Sequence, residues 1–287
     1  MKHTTVAAND GYQLSAHTFG DAHAARGGVL IVPAMGVEQQ YYAAFAQWLA
    51  RRGYFVVTFD YRGIGHSRRG SLRGFEADVL TWARQDTAAV LAFLRGRIDG
   101  RPLAWVGHSL GGQILGLVPG REHVAATLTV AAGSGHWRDY VPRLRLFAPV
   151  LWYLIVPVSV RLAGFFPGRL LRMIGDIPAG VMRQWRSWCL DPEYLFGTLP
   201  AEVRSSYAAL NLPVLSLSFT DDEFLTQRNI ESLHRFYSGA TIEMQRIAPE
   251  DIGMPGIGHF GFFRKRCEAT LWPRAGEWLD RRVRSHH

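Results

Sequence analysis

The sequence predicts an α/β fold in which helices cover both faces of a mainly parallel sheet. Short apolar runs rich in β-branched residues alternate with longer segments of helical periodicity along most of the 287 residues, a pattern typical of this fold class. One apolar run ends in the pentapeptide Gly-His-Ser-Leu-Gly, and a helical segment follows it at once. These observations predict one open sheet with a serine at the end of a strand.

Each predicted strand is an apolar run that is bounded by turn residues and is too short for a helix. The helical segments between them carry apolar stripes that indicate core packing. Phe45 and Leu49 belong to such a stripe in residues 38–53. Gly53 marks the expected end of that helix. The strands are expected at residues 12–18, 29–32, 55–59, 103–106, 126–130, 214–219 and 241–246.

The alternation of strands and helices is interrupted between residues 135 and 201. This segment is rich in Trp, Pro, Phe and Arg, and it favours helices without strands between them. Because strand-forming runs resume after it, an insertion explains the interruption better than a second domain. We therefore expect a helical insertion at 136–200 within one domain made of residues 1–135 and 201–287.

The composition is that of a folded globular protein with a basic surface. Hydrophobic residues make up 48% of the chain, charged residues make up 20%, and the formal net charge is +8. The arginines are scattered and no nucleic-acid-binding motif accompanies them, so no nucleic-acid partner is expected. Cys189 and Cys267 are far apart, which predicts neither a disulfide framework nor a thiolate metal site. Without an apolar signal segment at the N-terminus, a cytoplasmic protein is expected.

The most apolar stretch of the chain, residues 146–160, lies in the expected insertion. Its fifteen residues carry no charge, contain Pro149 and Pro157, and fall short of the roughly 20 that a membrane span requires. This length predicts a soluble protein with a buried helix here. Arginines flank the stretch, however, and weak contact with a membrane surface through an interfacial helix is a second interpretation.

Ser109 lies where a strand is expected to meet a helix. "PLAWV" before it predicts a buried strand, and "LGGQILGLV" after it predicts the start of a helix. Gly107, Gly111 and Gly112 would let the two elements approach closely around a serine in a strained conformation, the nucleophile elbow. The alternative is a glycine-rich turn with a capping serine, which the flanking strand and helix make the weaker interpretation.

A serine hydroxyl becomes a nucleophile next to a base that a carboxylate orients. On a sheet of this type the acid follows a late strand, and the histidine comes near the C-terminus. Asp221 and Asp222 come directly after an apolar run in "PVLSLSFTDDEFLT", and His259 lies in the glycine-flanked "GIGHFGFFR". The order Ser109, Asp222, His259 predicts a catalytic triad, with Asp221 as a turn or cap residue.

Each of these residues also has an interpretation without catalysis. The two aspartates would cap the helix that follows them, and His259 alone would be an ordinary surface or core histidine. Only their conjunction with the serine in the required order favours the triad. His66, His108 and His136 are weaker candidates for the base. His108 adjoins Ser109, but an elbow should direct its side chain away.

Five segments resemble the α/β-hydrolase superfamily, in particular its serine-aminopeptidase-like branch. They are "IVPAMGVEQQYY", "FDYRGIGHS", "VGHSLGG", "SFTDDEF" and "GIGHFGFFR", and the resemblance covers residues 10–135 and 205–285. It implies the α/β-hydrolase fold, a mainly parallel central sheet flanked by helices, with a helical cap as the insertion. It also implies Ser109 as nucleophile, Asp222 as acid and His259 as base.

The resemblance further implies an oxyanion hole made of two backbone N–H groups, those of Met35 and Leu110. The loop after the third strand commonly begins His-Gly in this superfamily, and Pro33 and Ala34 replace that pair here. Because the donors are backbone groups, the replacement need not remove the hole.

Hydrolysis of small-molecule carboxylic esters through an acyl-enzyme on Ser109 is the leading hypothesis. The aromatic insertion favours an apolar pocket, hence an apolar acyl or aryl group, although the same side chains would equally serve to pack the insertion. An acyltransferase uses the same triad, and a catalytically idle ligand-binding protein is the alternative from another class. No glycine-rich phosphate loop or metal-ligand spacing occurs, so no cofactor and no metal is expected. The natural substrate and the oligomeric state are left open.

Overall fold

A computed structural model describes residues 1–283 and has the expected fold class, a mainly parallel sheet flanked by helices. The strands are β1 (Lys2–Ala7), β2 (Gln13–Phe19), β3 (Gly27–Val32), β4 (Tyr54–Phe59), β5 (Leu103–His108), β6 (Val124–Val130), β7 (Phe165–Phe166), β8 (Ile177–Pro178), β9 (Pro213–Phe219) and β10 (Thr241–Ile247). The main sheet has the order β1-β2-β4-β3-β5-β6-β9-β10. β1 and β2 run antiparallel to their neighbours, and every other pair in this sheet is parallel.

All seven predicted strands are present, and the central ones are buried on both faces. Every residue of β3, β4 and β5 is buried, which explains why they occur in the sequence as unbroken apolar runs. The sequence does not predict β1, because its residues KHTTVA are mostly exposed. A polar strand at the edge of a sheet contains no apolar run that would predict it.

Helices cover both faces of the sheet. The predicted helix in residues 38–53 is confirmed: Phe45 and Leu49 are buried, and Gly53 follows the helix with a φ of +86°. The helices are α1 (Ala43–Arg51), α2 (Val79–Thr81), α3 (Ala88–Arg97), α4 (Leu110–Gln113), α5 (Pro142–Val150), α6 (Val156–Ala163), α7 (Ala179–Leu190), α8 (Leu195–Thr198), α9 (Glu202–Ala208), α10 (Gln227–His234) and α11 (Trp272–Arg282). The π-helical segments that join α2 to α3 and α5 to α6 are Trp82–Thr87 and Leu151–Ile155.

Between β6 and β9 the chain leaves the main sheet. Residues 136–200, the segment for which the sequence predicts an insertion, contain α5 to α8 and the hairpin of β7 and β8. Trp152, Trp188 and Tyr194 are buried there, and the rings of Trp188 and Tyr194 meet edge-on at 5.7 Å. These aromatic side chains therefore serve to pack the insertion, which is one of the two roles that the sequence left open.

The segments from α5 to α6 form one continuous helix, Pro142–Ala163, with an exposed apolar side. Within residues 1–283 it is the one helix long and apolar enough to cross a membrane by length and composition. Only 28% of its most apolar 18-residue window is buried. The prediction of a buried helix is therefore wrong here, because residues 146–160 are part of a 22-residue helix that presents one side to solvent.

Candidate active site

Ser109 connects β5 to α4 through a strained backbone turn. β5 ends at His108, α4 begins at Leu110, and Ser109 between them has φ +50° and ψ −116°. Such a conformation costs a non-glycine residue roughly 1–3 kcal/mol and persists only where the surroundings impose it. The Ser109 N–H donates to the Val130 carbonyl at 2.9 Å, and its carbonyl accepts from the Gly112 N–H at 2.9 Å. These bonds hold the serine at the carboxyl end of β5.

Glycines let the strand and the helix around Ser109 approach each other closely. A Cβ atom at Gly107 would overlap backbone atoms of Gly111 and Gly112, and one at Gly111 would overlap the Val32 carbonyl oxygen. The requirement is steric, because none of these three glycines has a positive φ. A larger residue would have to move α4 away from the strands.

Asp222 and His259 form a buried hydrogen-bonded pair beyond the carboxyl end of β9. The His259 Nδ1 lies 2.8 Å from one carboxylate oxygen of Asp222, and each residue is 5% exposed. The other oxygen accepts from the N–H groups of Phe224 at 2.8 Å and Leu225 at 2.9 Å. Burial raises the pKa of Asp222, but the His259 charge and these hydrogen bonds outweigh burial and lower the pKa below its usual value. The ionised carboxylate keeps the proton of a neutral His259 on Nδ1.

Two further acids hold the backbone of the loop that carries His259. Asp221 accepts hydrogen bonds from the Ile257 N–H at 2.7 Å and from the Gly258 N–H at 3.1 Å. Glu223 accepts one from the His259 N–H at 2.8 Å. From the sequence Asp221 is expected to be a turn or cap residue, and Glu223 is not predicted at all. The signal that could have found both is the unbroken run Asp-Asp-Glu after the strand.

His108 connects the His259 loop to the loop that follows β3. Its Nε2 lies 3.0 Å from the His259 carbonyl oxygen, and its Nδ1 lies 2.9 Å from the Tyr42 hydroxyl. A carbonyl only accepts, so Nε2 carries the proton and Nδ1 accepts from the Tyr42 O–H. The Tyr42 oxygen accepts in turn from the Ala34 N–H at 2.9 Å. One chain of hydrogen bonds thus joins both loops.

The His108 ring is neutral and fully buried. Burial, and after it the charge of His259, lowers the pKa of His108 to about 3. Because both ring nitrogens are occupied, His108 is not free to act as a base. The sequence does not predict this contact, in which the loop around His259 folds directly onto the His108 side chain.

Met35 and Leu110 lie just after the neighbouring strands β3 and β5, whose register pairs Val32 with Gly107. Leu110 is the first residue of α4, where backbone N–H groups have no acceptor within the helix. In the part of the chain that the structure describes, the Met35 N–H donates to no acceptor. Both predicted oxyanion donors therefore lie at this edge of the sheet with no acceptor given for their N–H groups within residues 1–283.

Apolar rings surround the His259 imidazole. Phe224 packs edge-on against it with ring centroids 5.0 Å apart, and Phe260 does so at 5.1 Å. Of the other histidines considered for the base, His66 is exposed and His136 is buried, and neither is paired with an acid within residues 1–283. The same residues contain no group of three or more His, Cys, Asp or Glu side chains that could hold a metal ion.

Solved structures with the same fold cover nearly the whole chain. A soluble variant of monoglyceride lipase from Saccharomyces cerevisiae, in complex with a substrate analogue, has a TM-score of 0.68 and 15% identity over 99% of this chain and 96% of that chain. The Pyrococcus furiosus esterase Pf2001 has a TM-score of 0.63 and 14% identity over 98% and 91%. Est816, described as an N-acyl homoserine lactone degrading enzyme, has a TM-score of 0.61 and 18% identity over 95% and 99%. At these identities the likeness concerns the fold.

One family model matches the sequence itself. It is described as serine aminopeptidase, S33, and it matches residues 23–165, from before β3 into the insertion. No curated protein matches the chain in sequence. The family model, the strand order and the structural neighbours agree with the resemblance carried by the five sequence segments. The chain therefore belongs to the α/β-hydrolase superfamily, on its S33 serine-aminopeptidase-like branch.

Proposed function

We propose that the chain is a serine esterase with Ser109 as nucleophile, His259 as base and Asp222 as acid. The observation that carries the proposal is the buried pair of Asp222 and His259, 2.8 Å apart. The backbone carbonyl of His259 accepts a hydrogen bond from His108, the residue before Ser109. The imidazole and the serine thus share the carboxyl edge of the sheet, where the sites of open α/β folds gather.

In the proposed reaction, the Asp222 carboxylate keeps the His259 proton on Nδ1, so that Nε2 accepts the proton of the Ser109 hydroxyl. The Ser109 oxygen attacks the ester carbonyl carbon, and the N–H groups of Met35 and Leu110 bind the oxyanion that forms. The alcohol leaves with the proton from His259, and the acyl group stays on Ser109. Water then attacks the acyl-enzyme with His259 as base, which releases the acid and restores the serine.

We infer that the acyl or aryl group of the substrate is apolar. Phe224 and Phe260 pack against the His259 ring, so a charged group of the substrate would lose hydration beside these rings. Proteins of the same fold include a monoglyceride lipase, an esterase and an N-acyl homoserine lactone degrading enzyme. These similarities support ester chemistry, and the rings support the apolar group.

The nucleophile is tested with a fluorophosphonate probe and with p-nitrophenyl esters of increasing acyl length. We expect the probe to label the wild type but not Ser109→Ala. The variant should lose at least about a thousandfold in kcat, because the members of a triad act as a unit. Ser206→Ala, on the exposed side of α9, is the control and should keep both labelling and activity. Labelling of Ser109→Ala at the wild-type level would exclude Ser109 as the nucleophile.

The same assay separates the two alternatives. An acyltransferase would divert the acyl group to a new ester when alcohol acceptors are added, whereas a hydrolase releases the free acid. Absence of turnover across the whole ester panel, together with absence of labelling, would support a ligand-binding protein without catalysis.

A further inference from the structure

One side of the helix Pro142–Ala163 carries a continuous row of exposed apolar side chains. Every fourth residue from position 146 to 162 is apolar and exposed. Phe147 and Tyr153, 40% and 60% exposed, lie beside them. Soluble surfaces rarely leave so long an apolar patch uncovered. The five residues, here called the apolar row, are Leu146 (82% exposed), Val150 (47%), Leu154 (58%), Val158 (45%) and Leu162 (70%).

The π-helical turn in the middle of the helix reduces the drift of the apolar row around the helix axis. In an α-helix of 3.6 residues per turn, positions four apart drift around the axis at every step. The segment Leu151–Ile155 makes a wider π turn, which reverses part of that drift. The five residues of the row are therefore all exposed along a helix of 22 residues, a length of about 33 Å.

The opposite side of the helix is packed onto the protein. Ala148, Trp152 and Val156 are buried. The Trp152 ring packs edge-on against Trp185 at 5.2 Å, and the Trp152 carbonyl accepts a hydrogen bond from the Arg186 side chain. Spanning a bilayer would break these contacts, so a helix held in this way lies flat against whatever covers the apolar row.

The chain segment that carries the apolar row is positively charged. Residues 140–175 contain five arginines and no acidic residue. Arg169 pairs with Glu38. Exposed cations beside an apolar face are complementary to a surface whose outer layer is anionic and whose interior is apolar. The four that form no ion pair within residues 1–283 are Arg143, Arg145, Arg161 and Arg172.

We propose that the helix Pro142–Ala163 is an interfacial helix that docks the protein on an anionic phospholipid bilayer. The apolar row enters the boundary of the acyl chains, and the rings of Phe147 and Tyr153 lie at the level of the headgroups. The arginines pair with lipid phosphates. A second copy of the chain fits this face less well, because it would bring the unpaired arginines of both copies together.

Docking of this kind brings the membrane surface close to the proposed active site. Val141, the residue before the helix, donates its N–H to the Phe224 carbonyl at 3.2 Å. Phe224 in turn packs against the His259 ring at 5.0 Å. Esters that partition into membranes are then the substrates that docking delivers to Ser109. This consequence rests on the proposed function, whereas the docking itself does not.

The docking is tested by sedimentation with phosphatidylcholine vesicles, with and without phosphatidylserine. We expect the wild type to bind both, and to bind more tightly with phosphatidylserine in a salt-sensitive way. The triple variant Leu146→Ser, Leu154→Ser, Leu162→Ser should lower the partition coefficient at least about tenfold, because three leucines no longer enter the bilayer. Met244→Ser removes an apolar side chain of 45% exposure from β10 and should bind like the wild type.

Further variants separate charge and catalysis from docking. Arg143→Gln combined with Arg161→Gln should remove most of the preference for phosphatidylserine while binding to phosphatidylcholine is kept. Ser109→Ala should bind vesicles like the wild type, so that a failure of the proposed function leaves the docking result intact. The thermal unfolding midpoint of the triple variant should match that of the wild type, which shows that the variant folds.

Results of three kinds would overturn the docking proposal. One is a wild type that binds neither kind of vesicle. The second is a triple variant that binds as tightly as the wild type, or a Met244→Ser variant that loses as much binding as the triple variant. The third is self-association in the absence of lipid that the triple variant abolishes, because a second copy of the chain then covers the apolar row.

Discussion

The side chains around His259 each bind a different atom of that residue. Asp222 accepts from the ring Nδ1, Glu223 accepts from the backbone N–H, and His108 donates to the backbone carbonyl. The imidazole is therefore held through its backbone as well as through its ring. If His259 is the base, as proposed, a residue fixed in this way needs little rearrangement when it reacts, and preorganisation of that kind supplies much of the rate of an enzyme.

His108 gives a prediction for a positioning residue. His108→Ala removes the donor to the His259 carbonyl and the acceptor of the Tyr42 hydroxyl. We expect kcat for ester hydrolysis to fall by roughly 10- to 100-fold with little change in KM, because a small displacement of the base has an effect of this size. His108→Gln, whose amide can donate to the same carbonyl, should recover part of the loss.

The matched control is His66→Ala, because His66 is an exposed histidine. It should keep the kcat of the wild type. If His108→Ala raised KM and left kcat unchanged, His108 would affect substrate binding and would not position the base.

Whether a secondary-structure element is buried decides whether the sequence predicts it. β3, β4 and β5 are buried on both faces, so each is visible as an apolar run. β1 is an exposed edge strand, and the π turn at Leu151–Ile155 has no residue pattern of its own. The helix Pro142–Ala163 is wrongly predicted to be buried, because the apolar residues on its exposed side resemble those of a core helix.

The contact of α4 with the strands gives a prediction at the scale of elements. In Gly111→Ala the new Cβ would overlap the Val32 carbonyl oxygen, so α4 must shift. We expect the free energy of unfolding to fall by about 1–3 kcal/mol, as in overpacked cores.

Gly96→Ala in α3 is the control, since nothing lies within 4 Å of its new Cβ. Alanine there should raise the free energy of unfolding by about 0.5–1 kcal/mol. Urea unfolding measures both changes, and equal stabilities of the Gly96→Ala and Gly111→Ala proteins would contradict the steric requirement.

Over the whole molecule, contacts between segments that are distant in sequence form the candidate site. The sequence itself shows only the order of the site residues along the chain. Ser109, Asp222 and His259 could be proposed because their order along the chain is informative. The hydrogen bond from His108 to the His259 carbonyl joins residues 151 positions apart. Nothing in the local sequence of either residue indicates this bond, since it depends on how one loop folds over another.

Buried histidines make the stability of the whole fold sensitive to acid. Burial lowers the pKa of His234 to about 4 and that of His108 to about 3. The unfolded chain takes up these protons near pH 6.5 and the folded chain does not, so stability is lost as the pH falls below about 6.5. Asp86 opposes part of the loss, because burial raises its pKa to about 6 and the folded state then binds its proton first.

His108 and His234 together outweigh Asp86, whereas His17, whose pKa burial lowers, and Asp60, whose pKa burial raises, oppose each other. The free energy of unfolding should fall by roughly 1.4 kcal/mol from about pH 6 to about pH 5. Denaturant unfolding at these two pH values measures the change. In His234→Gln one histidine is removed, and the change should become close to zero. The same pH dependence in the variant and in the wild type would show that His234 does not contribute to it.

The start of the insertion is bonded to the segment that holds Asp222, the proposed acid. Tyr140 forms an isolated β-bridge with Leu225, and the Val141 N–H donates to the Phe224 carbonyl. Phe224 and Leu225 are the two residues whose N–H groups bind the Asp222 carboxylate. The insertion therefore cannot be replaced as an independent unit that is cut at its ends. A chimaera that carries the insertion of a relative should keep Tyr140 and Val141 of this chain, and the exchanged segment should begin after Val141.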